Sequence, residues 1–410
     1  MKKGLFLLVA VAVVAACLII PPKSEAMPGF ARKYRFSCTV CHAPFPRLKA
    51  YGDEFAGNGF KLPEGEPPRA SYDTGDGLLQ LPRDLLLGMR VDMMATMAPD
   101  DEPSEFDFKT PYKLKFISGG PISDKVSYYF YFFLSERGEV AGIEDAFLYF
   151  PSVFDTGVNF TVGQFALSDP IAKSELRLTY EGYEVFARAP DRSHINMKYA
   201  RGVVVDYGFD FGTDLVFQAV NGNGLVEADE ETGSYDNDNY TNYMFRINQA
   251  IGPASLGGFY YMGKEKNTID DTSTDRNINN VDYYGGDFRI GNENIKFMTV
   301  YLVRRDSNPY FMNDDEEDTE TNGLLAELTV LPEGGDGRWY VSALYNDIAS
   351  DYEQDGVHVM DYQTATCSFH YLISRNVRAS MEYTYIIRDL AKGKDYRDRS
   401  RYSAVVVAAF

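Results

Sequence analysis

The stretch Val377-Arg-Ala-Ser-Met-Glu-Tyr-Thr-Tyr385 decides the fold. Val377, Ala379, Met381, Tyr383 and Tyr385 alternate with Arg378, Ser380, Glu382 and Thr384. A strand here therefore has one apolar face and one polar or charged face. That division suits a wall with lipid outside and water inside. Val126, Tyr128, Phe130, Phe132 and Leu134 alternate in the same way with Ser127, Tyr129, Tyr131 and Ser135. Working outward, such segments start near Asp84, Thr110, Lys125, Gly142, Gly157, Ala200, Gly212, Tyr240, Ala254, Asn280, Asn294, Thr321, Gly337, Val359, Arg375 and Arg399. The pattern predicts an all-β chain, a sixteen-stranded antiparallel outer-membrane β-barrel.

Connection lengths support this. Short turns at Gly119 to Asp124, Gly208 to Phe211, Gly252-Pro253, Gly291 to Glu293 and Ser374 lie between long polar stretches. The long ones are Ala98 to Lys109, Phe165 to Lys198, Asn223 to Asn239, Glu265 to Asn279, Arg305 to Glu320 and Asp351 to Gly356. Outer-membrane barrels have short periplasmic turns and long external loops, and an even strand count returns both ends to the periplasm. At the chain end, Tyr402, Ala404, Val406, Ala408 and Phe410 share one face, which resembles the C-terminal signature of bacterial outer-membrane barrels. A secreted β-sandwich is the alternative.

The 410 residues include 60 acidic and 40 basic ones, a net charge of −20. Nucleic-acid binding needs a basic surface, so that partner is excluded. Leu5 to Ile20 is the one apolar run near membrane-spanning length, which excludes a helical membrane protein. Lys2 and Lys3 before it, and Ser24-Glu25-Ala26 after it, read as a secretory signal cleaved after Ala26. Val14-Ala15-Ala16-Cys17 also resembles a lipobox, the competing reading.

Cys38-Thr39-Val40-Cys41-His42 is the Cys-x-x-Cys-His motif of c-type haem attachment. Two thiols at this spacing can add to the two vinyl groups of one porphyrin while the next residue offers its imidazole to the iron. Cys38 and Cys41 are the expected thioethers and His42 the axial ligand to haem iron. A redox dithiol or half a zinc site would need a partner pattern that the sequence lacks. Phe30, Tyr34, Phe36 and Phe45 supply aromatic surface, either as a porphyrin sandwich or as a small core. Met27 to Leu62 is too short to enclose a haem alone, so the segment must lean on the barrel.

The run Met27-Pro-Gly-Phe-Ala-Arg-Lys-Tyr-Arg-Phe-Ser-Cys-Thr-Val-Cys-His-Ala-Pro-Phe-Pro-Arg-Leu-Lys-Ala-Tyr-Gly-Asp-Glu-Phe-Ala-Gly-Asn-Gly-Phe60 resembles the opening of the outer-membrane monohaem cytochrome–porin fusions. Their best-known members are the iron oxidases of iron-oxidising bacteria. The resemblance implies one haem c at a sixteen-stranded barrel and electron transfer across the outer membrane, with Fe(II) oxidation as the possible activity. Its partners would be extracellular iron or another redox donor or acceptor, a periplasmic c-type cytochrome and outer-membrane lipid.

A sixth haem ligand would come from Met27 or from the barrel. His370 shares a face with Thr364, Thr366 and Ser368 near a periplasmic turn and is the tentative distal ligand. Met94, with Arg90 and Asp92, is a second lumen-facing candidate; His194 and His358 fall in or at external loops. Acidic runs at Asp100 to Asp107, Glu227 to Glu231 and Asp314 to Asp318 would concentrate divalent cations at the outer mouth, or serve only for solvation. The expected organisation is a signal at 1–26, a monohaem segment at 27–62, a linker at 63–83 and the barrel at 84–410. Two functions compete: electron transfer through the haem, and a diffusion porin whose haem segment is a structural plug or redox sensor.

Overall fold

The computed structural model of the protein describes residues 29–62, 74–79, 86–100, 105–190, 193–236, 238–266, 278–309, 311, 318–351, 353–354, 357–358, 360–391, 394–395 and 398–410. The signal, Cys17, Met27 and most of the linker lie outside these residues. Among them, sixteen long strands run in chain order. They are β1 Leu87–Ala98, β2 Glu105–Ser123, β3 Val126–Glu136, β4 Gly142–Phe150, β5 Val158–Ala166, β6 Tyr199–Gly208, β7 Thr213–Val220 and β8 Asn242–Ile251. The second half is β9 Ala254–Lys266, β10 Ile278–Gly291, β11 Ile295–Asp306, β12 Thr319–Val330, β13 Trp339–Ser350, β14 Met360–Ser374, β15 Val377–Ala391 and β16 Arg399–Ala409.

Each strand pairs antiparallel with its chain neighbours, and β16 returns to β1 with Arg90 opposite Ala409, Met94 opposite Val405 and Met97 opposite Tyr402. The sheet is a closed barrel, leaving no open edge to face hydrocarbon. Fifteen of the sixteen expected starts agree with these bounds to within three residues. The exception is β2, which begins at Glu105, not near Thr110. Its ladder passes Pro111 through a register shift opposite Asp92 and Met94, the kind of irregularity where proline is tolerated.

The faces divide as the alternation predicts. On β15, Arg378, Ser380, Glu382 and Thr384 are buried inside, whereas Met381 and Tyr383 face outward. On β14, Thr364, Thr366, Ser368 and His370 point inward and Cys367 and Phe369 outward. Tyr260, Met262, Tyr301 and Ile247 continue the outward apolar belt.

The connection 167–198 corrects the sequence reading. It is expected as an external loop, yet it folds into the lumen because it is too apolar for water. Leu167, Ile171, Val185, Phe186, Ile195 and Met197 are buried there against wall residues including Val281, Tyr283, Val300, Leu325 and Leu344. Polar clamps fix this inner loop to the wall. Arg304, buried and paired with Asp306 at 2.6 Å, donates to the Ile195 carbonyl at 2.6 Å and to Ser193 Oγ at 2.7 Å. Glu382 accepts the N–H groups of Tyr180 and Glu181 at 2.7 and 2.9 Å, and Lys115 pairs with Glu175 at 2.6 Å. One side of the lumen is thus a hydrophobic core in place of water.

Truncating that core should cost what a buried aromatic costs: Phe186→Ala should lower stability by about 3–5 kcal/mol. The thermal midpoint of the β-sheet circular dichroism signal in detergent reports it, and an unchanged midpoint would mean that the loop does not support the barrel.

Candidate functional site

The N-terminal segment consists of helix α1 Gly29–Tyr34, a tight turn at Cys38–Val40 and helix α2 Ala50–Gly57. Ser37 opens the turn, with its Oγ accepting from the Thr39 N–H at 3.4 Å. The N–H groups of Cys41 and His42 both donate to the Cys38 carbonyl, at 3.3 and 2.9 Å. One turn therefore presents both thiols and the imidazole. Helix α2 packs directly on this backbone through Gly52, where a Cβ would lie 2.5 Å from the Cys41 carbonyl oxygen. Any side chain at Gly52 would displace the motif.

His42 is set for metal ligation. Its Nδ1 lies 2.8 Å from the Pro46 carbonyl oxygen. A carbonyl only accepts, so Nδ1 carries the proton and Nε2 holds the free lone pair. Burial keeps the imidazole pKa below its usual value, favouring the neutral ligating form. The Phe45 ring stands edge-on to it, with centroids 5.1 Å apart. Cys38 and Cys41 are free, half-buried thiols, their pKa values pushed up by burial. These residues fit a c-type haem: two unpaired thiols and an oriented imidazole on one turn. Among the described residues no group of three or more His, Cys, Asp or Glu side chains is placed to hold a metal ion by itself.

The expected aromatic surface is divided. Phe30 packs against Phe55 and Phe60 with centroids 5.1 and 5.4 Å apart, and Phe60 stacks on Tyr129 of β3 at 5.6 Å. These rings are core. Phe45 stays beside His42, and Phe36 stacks on Tyr34 at 5.7 Å.

The segment seats in the short-turn end of the barrel, which is the periplasmic end. Gly59, at φ +68° and with no room for a Cβ beside Ser127, gives its carbonyl to Ser127 Oγ at 2.7 Å. The Gly57 carbonyl accepts from Tyr149 at 2.6 Å, and that of Ala43 accepts from Lys296. Arg47 crosses to the wall: it pairs with Glu327 on β12 and donates to the Tyr183 hydroxyl of the inner loop at 2.7 Å. Tyr183 in turn donates to Glu327 at 2.5 Å. This triad joins N-terminal segment, wall and inner loop.

His370 faces the lumen, fully buried, as expected. Its Nε2 and Nδ1 each lie 2.8 Å from a serine hydroxyl, Ser368 and Ser380. The Tyr340 ring stacks over it at 4.5 Å and 22°. Tyr340 and Arg378 both donate to the Phe45 carbonyl, at 2.9 and 3.0 Å. The imidazole thus lies one aromatic layer beneath the N-terminal segment. Met94 also faces inward but packs with Val405, Val407, Tyr112 and Tyr180. His194 is exposed on the inner loop, its backbone N–H bound to Glu265 at 2.8 Å. His358 joins a two-residue ladder with Glu353, its side chain outside the description.

Sequence reasoning missed Arg47, Tyr183, Glu327, Tyr340 and Arg378. Only the apolar content of 167–198 was a signal for them, since an external loop has no use for Leu178, Phe186 and Ile195. At the outer end, a vestibule of about 260 Å³ is lined by Thr96, Glu105, Lys109, Asp389, Arg399 and Arg401. Arg401 pairs with Glu181 of the inner loop at its floor. Of the acidic runs, Glu227, Asp229, Glu230 and Glu231 are described; Asp229 accepts the N–H groups of Glu231 and Thr232 and folds its own turn. Asp101, Glu102 and 314–317 lie outside the described residues.

No family model matches the sequence, and no curated protein matches it. Solved structures do. An anion-selective porin from Comamonas acidovorans is similar with a TM-score of 0.56 and 11% identity, covering 80% of this chain and 99% of that one. The outer-membrane channel DcaP of Acinetobacter baumannii has a TM-score of 0.53 at 18% identity, covering 80% and 97%. Salmonella typhi OmpF in complex with daunomycin has 0.55 at 12%, covering 80% and 98%. At such identities the likeness shows the fold alone, a porin-type barrel; its closed ladder and outward apolar belt suit the outer membrane of a Gram-negative bacterium.

Removing one partner of a buried ion pair costs about 3–5 kcal/mol. Glu327→Ala should therefore loosen the N-terminal segment, and trypsin should cut after Arg47 at a lower temperature than in the wild type. Equal cleavage profiles would show that Arg47 does not anchor the segment.

Proposed function

We propose that this porin-type barrel carries one covalent haem c at its periplasmic mouth. Through it the barrel exchanges electrons between an extracellular donor or acceptor, iron foremost, and a periplasmic c-type cytochrome. The observation that carries this reading is the His42 tautomer fixed by the Pro46 carbonyl on the turn that also presents Cys38 and Cys41. When bound, the haem supplies a reversible one-electron couple. Cys38 and Cys41 hold it, and His42 ligates iron through Nε2. The Pro46 carbonyl fixes the ring orientation, and Arg47 ties the Pro44-to-Arg47 turn to the wall. The filled inner side of the barrel supports this reading over bulk solute flow, since Phe186, Ile195 and Met197 occupy the space a solute would cross.

For His370, ligation requires one serine bond to open and the Tyr340 ring to move. Its present contacts support a positioning role, setting Tyr340 and through it Phe45 beside His42.

The second reading, a diffusion porin with the haem segment as plug or redox sensor, is favoured by the similarity to channels, one of them described as anion-selective. A pair of measurements separates the two. Under the first reading, mass spectrometry of the exported protein finds one haem that Cys38→Ala plus Cys41→Ala abolishes. Stopped-flow mixing with Fe(II) changes the haem bands, and planar bilayers containing the protein show no steady conductance. Absence of haem mass would sink it; porin-size conductance with a redox-inert haem would establish the second.

A further inference from the structure

We propose that the Cys38 side of the haem segment is a cationic docking face for a small acidic redox protein of the periplasm. The inference rests on the haem reading above and names the kind of partner that reading requires. Charge is the first observation. Residues 27–62 hold six basic side chains, Arg32, Lys33, Arg35, Arg47, Lys49 and Lys61, against two acidic ones, Asp53 and Glu54, in a chain whose net charge is −20. A positive segment within so acidic a protein polarises the molecule: exposed Glu227, Asp229, Glu230 and Glu231 lie at the outer end, and the cations at the inner mouth.

The placement of these charges is the second observation. Arg32 and Arg35 are exposed and have no carboxylate partner among the described residues. Arg35 stands three residues before Cys38. From the turn between β14 and β15, Arg375 acts electrostatically on Cys38, and its guanidinium is held by the carbonyls of Asp336, at 2.7 Å, and Gly337, at 3.4 Å. Arg338 likewise donates to the carbonyls of Leu372 and Ile373. Carbonyls orient these cations without neutralising them. The two acids on the β12–β13 turn beside these cations are engaged: Asp336 with Lys49 at 3.4 Å, and Glu333 with the Arg338 N–H and the Trp339 indole.

Ser37 and Val40 are exposed between these charges, on the turn that bears the thiols. A small uncharged centre ringed by unpaired cations suits a short-lived encounter, in which charge steers approach and little surface is buried. An acidic soluble carrier meets that description. A basic carrier would be repelled.

The test uses the full-length protein in phosphatidylcholine nanodiscs, with an acidic plastocyanin and a basic mitochondrial-type cytochrome c as probes, and surface plasmon resonance as readout. The acidic probe should bind and the basic one should not, and the affinity should fall steeply as salt is raised from about 20 to 200 mM. Arg32→Glu plus Arg35→Glu should weaken binding at least tenfold, and Arg32→Gln plus Arg35→Gln by less, with heat-modifiable gel migration unchanged in both. Equal binding of the basic probe, salt-independent binding, or unchanged affinity in the reversed variant would overturn the proposal. So would displacement of the acidic probe by vesicles of phosphatidylglycerol, which would assign the face to lipid. The same titration on Cys38→Ala plus Cys41→Ala protein reads the face without haem. Binding there would show that the docking face does not depend on haem, and absence of haem mass from the wild-type protein would then sink the haem reading while that face stood.

Discussion

Hydrocarbon accepts no unpaired backbone N–H or C=O, and every other feature of this molecule follows from that constraint. Strands can cross only if the ladder closes, and it closes where Arg90 meets Ala409 and Met97 meets Tyr402. Closure with an even number of strands puts β1 and β16 at the same mouth. The segment ahead of β1 therefore has one place to go, the periplasmic end, where the carbonyls of Ala43, Phe45, Gly57 and Gly59 all find donors from the barrel. The Cys-x-x-Cys-His turn is thus carried to the barrel mouth by its own backbone, which is bonded to the wall on several sides.

The interior follows from a second balance. A sixteen-stranded wall encloses more room than its own side chains fill. The inner loop takes up that room on one side with apolar residues, while the polar wall residues that meet it are matched in pairs. Arg304 with Asp306 and Arg246 with Asp287 are buried ion pairs, and half-buried Arg47 reaches the buried Glu327. Burying charge is costly unless the partner is in place, so each pair makes its position specific. Arg47 differs from the others because its partner lies on a different structural unit. Register on β12 and the seat of the N-terminal segment are fixed by the same contact.

Legibility in the sequence tracks the range of the interaction. Period-two alternation is local, and it located β14 and β15 together with the inward side of His370. Ser368, two residues away on the same face, was equally visible as a neighbour; Ser380 was not, because it bonds His370 only in the observed pairing of β14 with β15. The Cys-x-x-Cys-His spacing was plain, whereas the His42 tautomer depends on the backbone path to Pro46. Length and flanking turns alone make the inner loop read as external, whereas its apolar content, the signal of its inward fold, has no periodic pattern to mark it. Arg47 and Glu327, 280 residues apart, share no local pattern at all.

These couplings bear on how such a barrel could open. To admit solute it would have to shift either the N-terminal segment or the inner loop, and the Arg47, Tyr183 and Glu327 triad ties the two together. Breaking one buried pair by itself costs about 3–5 kcal/mol. Moving an equilibrium from mostly closed to mostly open, 1:99 to 99:1, takes about 5.5 kcal/mol of differential binding. An effector would have to supply energy on the scale of the clamp itself, whereas the electron exchange proposed at His42 would ask for no movement of the clamp. A rigid mouth would also hold the Pro46 carbonyl on Nδ1, and little reorganisation at a ligand is what fast electron transfer requires. The clamp that obstructs a pore is therefore the feature that would serve a fixed electron-transfer site.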